Sequence, residues 1–282
     1  MRCSLGLLVG CLFLANAFGV EPDSDLAAQL QLERRQTAER RIVQASQIIE
    51  ADNLEDKQLA EAFRARGVAR SHLLQYAEAL TDFTRAVELD PLNPQYYEER
   101  AITHLKLREF DAASVDLDMA LGLDRDRAIG HREKGRVAFY RQDFGQAARE
   151  FAMALRASDD AAVVYGAVWL HMAIGRGGLE GEAPLTTIDS QLDPRQWPAP
   201  VIKMYLGQLE PHEAVAAASN PNPRTALMQQ CEALFYAGQE YLIRNQPSDA
   251  RTSFEAAVRT GVTEFLEYDW SVRELELMAA KP

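Results

Sequence analysis

Cysteine is nearly absent: Cys3 and Cys11 lie in the first twenty residues, and only Cys231 follows. A lone thiol closes no intrachain disulfide, so nothing past the leader is stapled. Placed in a run of small and apolar residues, Cys231 reads as a packed hydrophobe at the start of a helix. Histidine is scarce too: His72, His104, His131, His171 and His212 make up the five. No two stand at metal-ligand spacing, and HExxH, CxxC, GxSxG and a phosphate-cradling glycine loop are missing. The acids Asp116, Asp118, Asp124 and Asp126 lack the spacing of a calcium loop. The expectation is therefore a non-enzymatic chain with no catalytic set, metal or cofactor.

Positive charge is in deficit. The chain carries 42 acids against 30 bases, a formal net charge of -12. That balance repels phosphate backbones and argues against a nucleic-acid partner. Where arginines cluster, in "ERRQTAERR" at 33–41, they alternate with acids as on a solvated helix face.

Long apolar runs are confined to the beginning. "MRCSLGLLVGCLFLANAFGV" joins one arginine, an apolar stretch from Leu5 to Leu14, and "ANA" at Ala15 to Ala17. That order describes a secretory signal peptide, 1–17, cut after Ala17. The stretch is too short for a bilayer-spanning anchor. A rival reading rests on "LVGC", similar to the box before a bacterial lipidated cysteine. Lipid on Cys11 would tether the protein to the outer membrane. Both readings imply export.

What is abundant is self-similarity. "YAEALTDFTRAVELDP" at 76–91 returns as "FDAASVDLDMALGLDR", "FGQAAREFAMALRASD" and "PSDARTSFEAAVRTGV". Repeats of 34 residues begin at Ala60, Pro94 and Ala128, with another unit from Cys231. Position eight holds Gly67, Ala101, Gly135 and Gly238, and position twenty holds Ala79, Ala113, Ala147 and Ala250. Position twenty-four holds Phe83, Leu117, Phe151 and Phe254, and position twenty-seven holds Ala86, Ala120, Ala154 and Ala257. Each unit is a pair of helices: small residues where their backbones cross, a ring or leucine between. One hairpin cannot bury its apolar face, so neighbours must stack.

These spacings resemble the tetratricopeptide repeat, with Pro91 supplying its terminal proline once. The fold class expected is all-α, a solenoid of helical hairpins with capping helices at both ends. Residues 24–175 form its first part. Two helices at 24–34 and 35–51 cap the repeats from 60, 94 and 128, and Ala162 begins the first half of one more. Residues 176–197, with their glycines and prolines, are a degenerate repeat or linker with a short helix near 185–192. Residues 198–282 hold two short helices, a repeat at 231–262 and a closing helix at 263–278 capped by Thr263.

The later segments carry a narrower resemblance. "WPAPVIKMYLGQLEPHEAV", "FYAGQEYLIRNQPSDARTSFEAAV" and "FLEYDWSVRELELM" look like the C-terminal half of NlpI-type bacterial lipoproteins. That resemblance implies a periplasmic, outer-membrane-associated adaptor for cell-wall hydrolases and a processing protease.

In tetratricopeptide repeats the first helices line a concave groove. The matching positions here are Arg64, His72, Glu98, Lys106, Arg132, Arg136, Phe139 and Tyr140. Two arginines one turn apart beside two rings suit a protein or peptide partner bearing a carboxylate. The basic clamp of chaperone-binding relatives is absent, its positions being filled by Arg64, Val68, Glu99, Ile129 and Glu133. An alternative is self-association as a homodimer through Leu26, Leu30, Ile42 and Ile48.

Overall fold

The computed structural model describes residues 24–51, 53–157, 162–263 and 265–280. The leader, its Ala17 cleavage point and Cys11 lie outside them. Among the described residues all regular structure is helical, in fourteen helices. The all-α hairpin architecture of tetratricopeptide type expected from the repeats is the one observed.

The chain divides into two compact units, the first spanning 31–184 and the second built around 185–282. In the first, α1 (Ser24–Ile49) precedes three hairpins: α2 (Asp56–His72) with α3 (Tyr76–Leu89), α4 (Pro94–Lys106) with α5 (Phe110–Leu123), and α6 (Ala128–Tyr140) with α7 (Phe144–Arg156). A further helix, α8 (Ala162–Gly177), packs on α7. In the second unit, α9 (Leu185–Asp189), α10 (Ala199–Tyr205) and α11 (Pro211–Ala216) are short. They lead to α12 (Pro223–Ile243), α13 (Pro247–Arg259) and α14 (Leu266–Ala279), which pack on one another.

The repeat positions make the cores. Ala79, Ala113, Ala147 and Ala250 are fully buried, as are Leu117, Phe151 and Phe254, with Phe83 nearly so. A Cβ added at Gly67 would come within 2.9 Å of the Phe83 ring; at Gly135 the Phe151 ring lies 2.7 Å away, and at Gly238 the Phe254 ring 2.4 Å. Glycine at position eight is what lets the position-twenty-four ring lie flat against the first helix.

Each first helix of these hairpins stops the same way. Leu74, Arg108, Gln142 and Asn245, all at position fifteen, have φ of 60°, 62°, 62° and 59°. The next residue's N–H then reaches back to a carbonyl inside the helix, as Gln75 does to Arg70 at 3.0 Å and Glu109 to His104 at 2.9 Å. This left-handed stop turns the chain into the second helix.

Four boundaries correct the sequence reading. The N-terminal segment is one continuous helix, because no proline, glycine or cap falls between 34 and 35. The helix expected to open at Cys231 begins at Pro223, where the Asn222 side chain accepts from the Thr225 N–H at 3.0 Å. Cys231 sits inside it, buried, its thiol donating to the Ala257 carbonyl at 3.8 Å. The closing helix starts at Leu266 with Phe265 at its cap, so Thr263 does not cap it. The short helix near 185–192 ends at Asp189.

Candidate functional site

The candidate site is the face of the first unit formed by α2, α4 and α6. Its charged side chains fall in register because the same repeat positions recur on all three helices. Position five is Arg64, Glu98 and Arg132, and position six is Ala65, Glu99 and Glu133.

Arg64 is forked onto Glu61, one turn earlier, at 2.6 and 2.9 Å, and reaches Glu99 on α4 at 3.0 Å. Its hydrogen bonds to Glu61 raise the guanidinium above its ordinary value. Burial lifts Glu99 above the usual carboxylate range, against the pull of Arg64.

Arg132 and Arg136 already hold a carboxylate, and it is internal. The Glu133 side chain accepts from Arg132 at 3.1 Å and from Arg136 at 2.8 Å. Burial alone would lift this carboxyl, but Arg136 and Arg132 outweigh it and hold Glu133 below the ordinary range. Arg136 also lies over the Trp169 ring, 5.2 Å from its centroid. The expected carboxylate-binding pair is therefore largely spent on the fold.

The two rings beside it are spent as well. Phe139 is buried, edge-on to Phe144 at 5.1 Å and to Trp169 at 5.4 Å. Tyr140 lies half-buried against Phe110, centroids 5.6 Å apart. Glu98 is buried too, gripped by Arg127 of the next hairpin at 2.8 and 2.5 Å. Phe139, Glu98 and Arg136 are thus corrected from open groove to interior, because the following hairpin and α8 cover them. His72 ends α2 exposed and Lys106 ends α4 half-buried, at matching positions. What stays accessible is Glu61, Arg64, Gln95, Glu99 and Arg132, with Ile129 beside them.

Sequence reasoning missed a second set of charges that fixes this face. Asp82, Asp116 and Glu150 on the second helices bind Arg66, Arg100 and Lys134 on the first. The bases sit at position seven and the acids at position twenty-three, a 34-residue spacing visible in the sequence once charge is counted with size. Arg100 also donates to Thr84 of the preceding hairpin at 3.3 Å, and Arg66 to Ser46 of α1 at 3.2 Å. His104 lies between Glu109, at 2.6 Å, and Asp116, at 3.8 Å. Among the described residues no group of histidines, cysteines and acids could hold a metal ion.

No family model matches the chain. Among solved structures it is similar to a tetratricopeptide repeat protein from Parabacteroides merdae, at 15% identity over 84% of this chain and 98% of that one, with a TM-score of 0.48. It is also similar to pilF of Pseudomonas aeruginosa, at 14% identity over 78% and 99%, TM-score 0.49. A third is YrrB, described as a tetratricopeptide repeat protein with an unusual peptide-binding site, at 13% identity over 77% and 91%, TM-score 0.42. At such identities and scores the likeness says nothing of what this chain binds.

Proposed function

We propose that this protein is a non-catalytic adaptor that holds a segment of a partner protein along the α2–α4–α6 face. The observation that carries this reading is the Glu61–Arg64–Glu99 chain. Arg64 keeps a quarter of its side chain in solvent, and Glu61 about half. A surface pair of this kind contributes only about 0–1 kcal/mol, so an incoming carboxylate can replace Glu61 at little cost. The buried Glu133 pair is not exchangeable in this way, because its separation would strand charge out of water. Arg64 is therefore the contact open to a partner, and Arg132, Arg136 and Phe139 are its support.

The leader supports export, and the resemblance to NlpI-type lipoproteins supports a periplasmic adaptor serving envelope hydrolases or a protease, lipid-anchored if Cys11 is modified. The test is crosslinking and mass spectrometry in the protein's own cells, comparing the native chain with an Arg64→Ala variant. Loss of one crosslinked partner with helicity intact supports this face; an unchanged crosslink pattern rejects it.

A second reading is self-association through α1, where Leu32, Val43 and Ile48 are exposed. The side chains of Leu26 and Leu30 lie outside the described set. Light scattering decides between them: a monomer at micromolar concentration removes the homodimer.

A further inference from the structure

The chain leaves the first unit through a strap, 180–184, that neither packs nor bonds. Glu180, Gly181, Glu182 and Pro184 are exposed, and Ala183 is half-buried. Among the described residues no backbone N–H or C=O of 180–183 makes a hydrogen bond. The side chains of Glu180 and Glu182 form no hydrogen bond or ion pair among them either. Gly181, at φ 122°, stands where other residues are strained.

Both ends of the strap are tied down. Helix α8 stops at Gly178, φ 57°, where the Leu179 N–H returns to the Ile174 carbonyl at 3.0 Å. Just before that stop, Arg176 lies over the Phe144 and Phe139 rings, 5.3 and 5.8 Å from their centroids. A Cβ at Gly177 would stand 2.9 Å from the Phe144 Cβ, so this last turn is pressed onto α7. After the strap, Leu185 and Ile188 of α9 are buried. Neither core draws on the residues between.

Exposure alone does not open a peptide bond to a protease, which must lay several residues out in its cleft. The turn glutamates Glu55, Glu109 and Glu210 are exposed too, but each is held. Their N–H groups donate to the Gln58 side chain at 3.2 Å, the His104 carbonyl at 2.9 Å and the Glu213 side chain at 2.8 Å. Glutamates inside helices are reached only after local unwinding, and cleavage there follows the small population of the open state. The strap needs no such opening.

We propose that 180–184 is a site of limited proteolysis, a substrate for an endoprotease specific for glutamate. Water adds across the Glu180–Gly181 or Glu182–Ala183 amide, leaving a carboxylate on the glutamate and an amine on the residue after it. Both units stay folded after the cut, because a boundary of this kind carries few of the contacts that hold a domain together.

The test treats the full chain with a glutamate-specific endoprotease and follows the fragments by mass spectrometry. Between residues 31 and 263 the first cut should fall after Glu180 or Glu182. Circular dichroism of the cut protein should keep the helical signal of the intact chain. Glu180→Gln with Glu182→Gln should melt as the native chain does, yet stay whole between 31 and 263 over the time in which the native chain is fully cut. A first cut elsewhere in that range overturns the proposal, as does loss of helicity on cutting. Cleavage of the double variant at the native rate would show that other glutamyl bonds are as open, and a native chain that resists the protease would show that the strap is covered. Each of these also overturns it.

Discussion

Arg66 and Asp82, sixteen residues apart on the two helices of one hairpin, meet through hydrogen bonds of 2.8, 3.1 and 3.1 Å. Arg70 adds a fourth at 2.7 Å. The Asp82 side chain is 1% exposed, so its charge is tolerated only because two guanidiniums surround it. The same relationship returns at Arg100 and Asp116, with bonds of 2.8 and 2.6 Å.

Replacing either buried aspartate should therefore be costly. Asp82→Asn and Asp116→Asn should each lower the unfolding free energy by about 3 kcal/mol, the scale for a broken buried pair. Asp118→Asn, at a side chain 62% exposed, should cost less than about 1 kcal/mol. Urea unfolding followed by circular dichroism makes the comparison. Equal costs at Asp82 and Asp118 would show that burial does not set the strength of these pairs.

The glycines separate into two kinds with opposite signs. Gly67→Ala and Gly238→Ala push a Cβ against a buried phenyl ring, 2.9 and 2.4 Å away, and should destabilise by about 1–3 kcal/mol, more at Gly238. Gly122→Ala meets nothing and should stabilise by up to about 1 kcal/mol. Thermal melts of the three variants check both signs.

The sequence carried the hairpins and their cores because size recurs: Gly67 with Phe83 and Gly135 with Phe151 are steric pairs, readable as letters at fixed spacing. The groove was less legible. Register places Arg136 and Phe139 on the right helix face, but exposure depends on what the next element lays over them. Here that element is α8, whose Trp169 covers both. Glu98 was misread for the same reason, since its partner Arg127 belongs to the following hairpin. Helix α12 outran its repeat because Asn222 and Pro223 supply a start two turns upstream of the register.

Leu74 occupies a left-handed position, φ 60°, where Asn245 stands in the last repeat at φ 59°. An L side chain without a local hydrogen bond is strained there by about 1–2 kcal/mol, and asparagine is tolerated better. Leu74 is 48% exposed, so removing it gives up little burial. Leu74→Asn should raise the melting temperature by about 2–4 °C, the shift expected for about 1 kcal/mol in a chain of this size. Asn245→Leu should lower it. A fall with Leu74→Asn would mean that the leucine contributes more packing than its exposure implies.

Two buried glutamates should respond to pH in opposite directions. Burial raises Glu240 above its ordinary value of 4.5 although Arg244 donates to it at 2.7 Å, and its Oε2 finds no partner among the described residues. The folded state thus holds this proton more tightly than the unfolded chain. Its contribution is full below pH 4.5 and is lost as pH rises through the higher folded value. Glu133 is the reverse: with its carboxyl held low by Arg136 and Arg132, its contribution is full above pH 4.5 and is lost on acidification through the depressed value. At pH 7, Glu240→Gln should therefore stabilise and Glu133→Gln should destabilise. The Glu240 difference should shrink as the pH falls through its raised value toward 4.5, and the Glu133 difference only below 4.5. Urea unfolding of both variants at pH 7, 5 and 3.5 measures the crossing, and two curves moving the same way would refute the assignment of charge to these carboxylates.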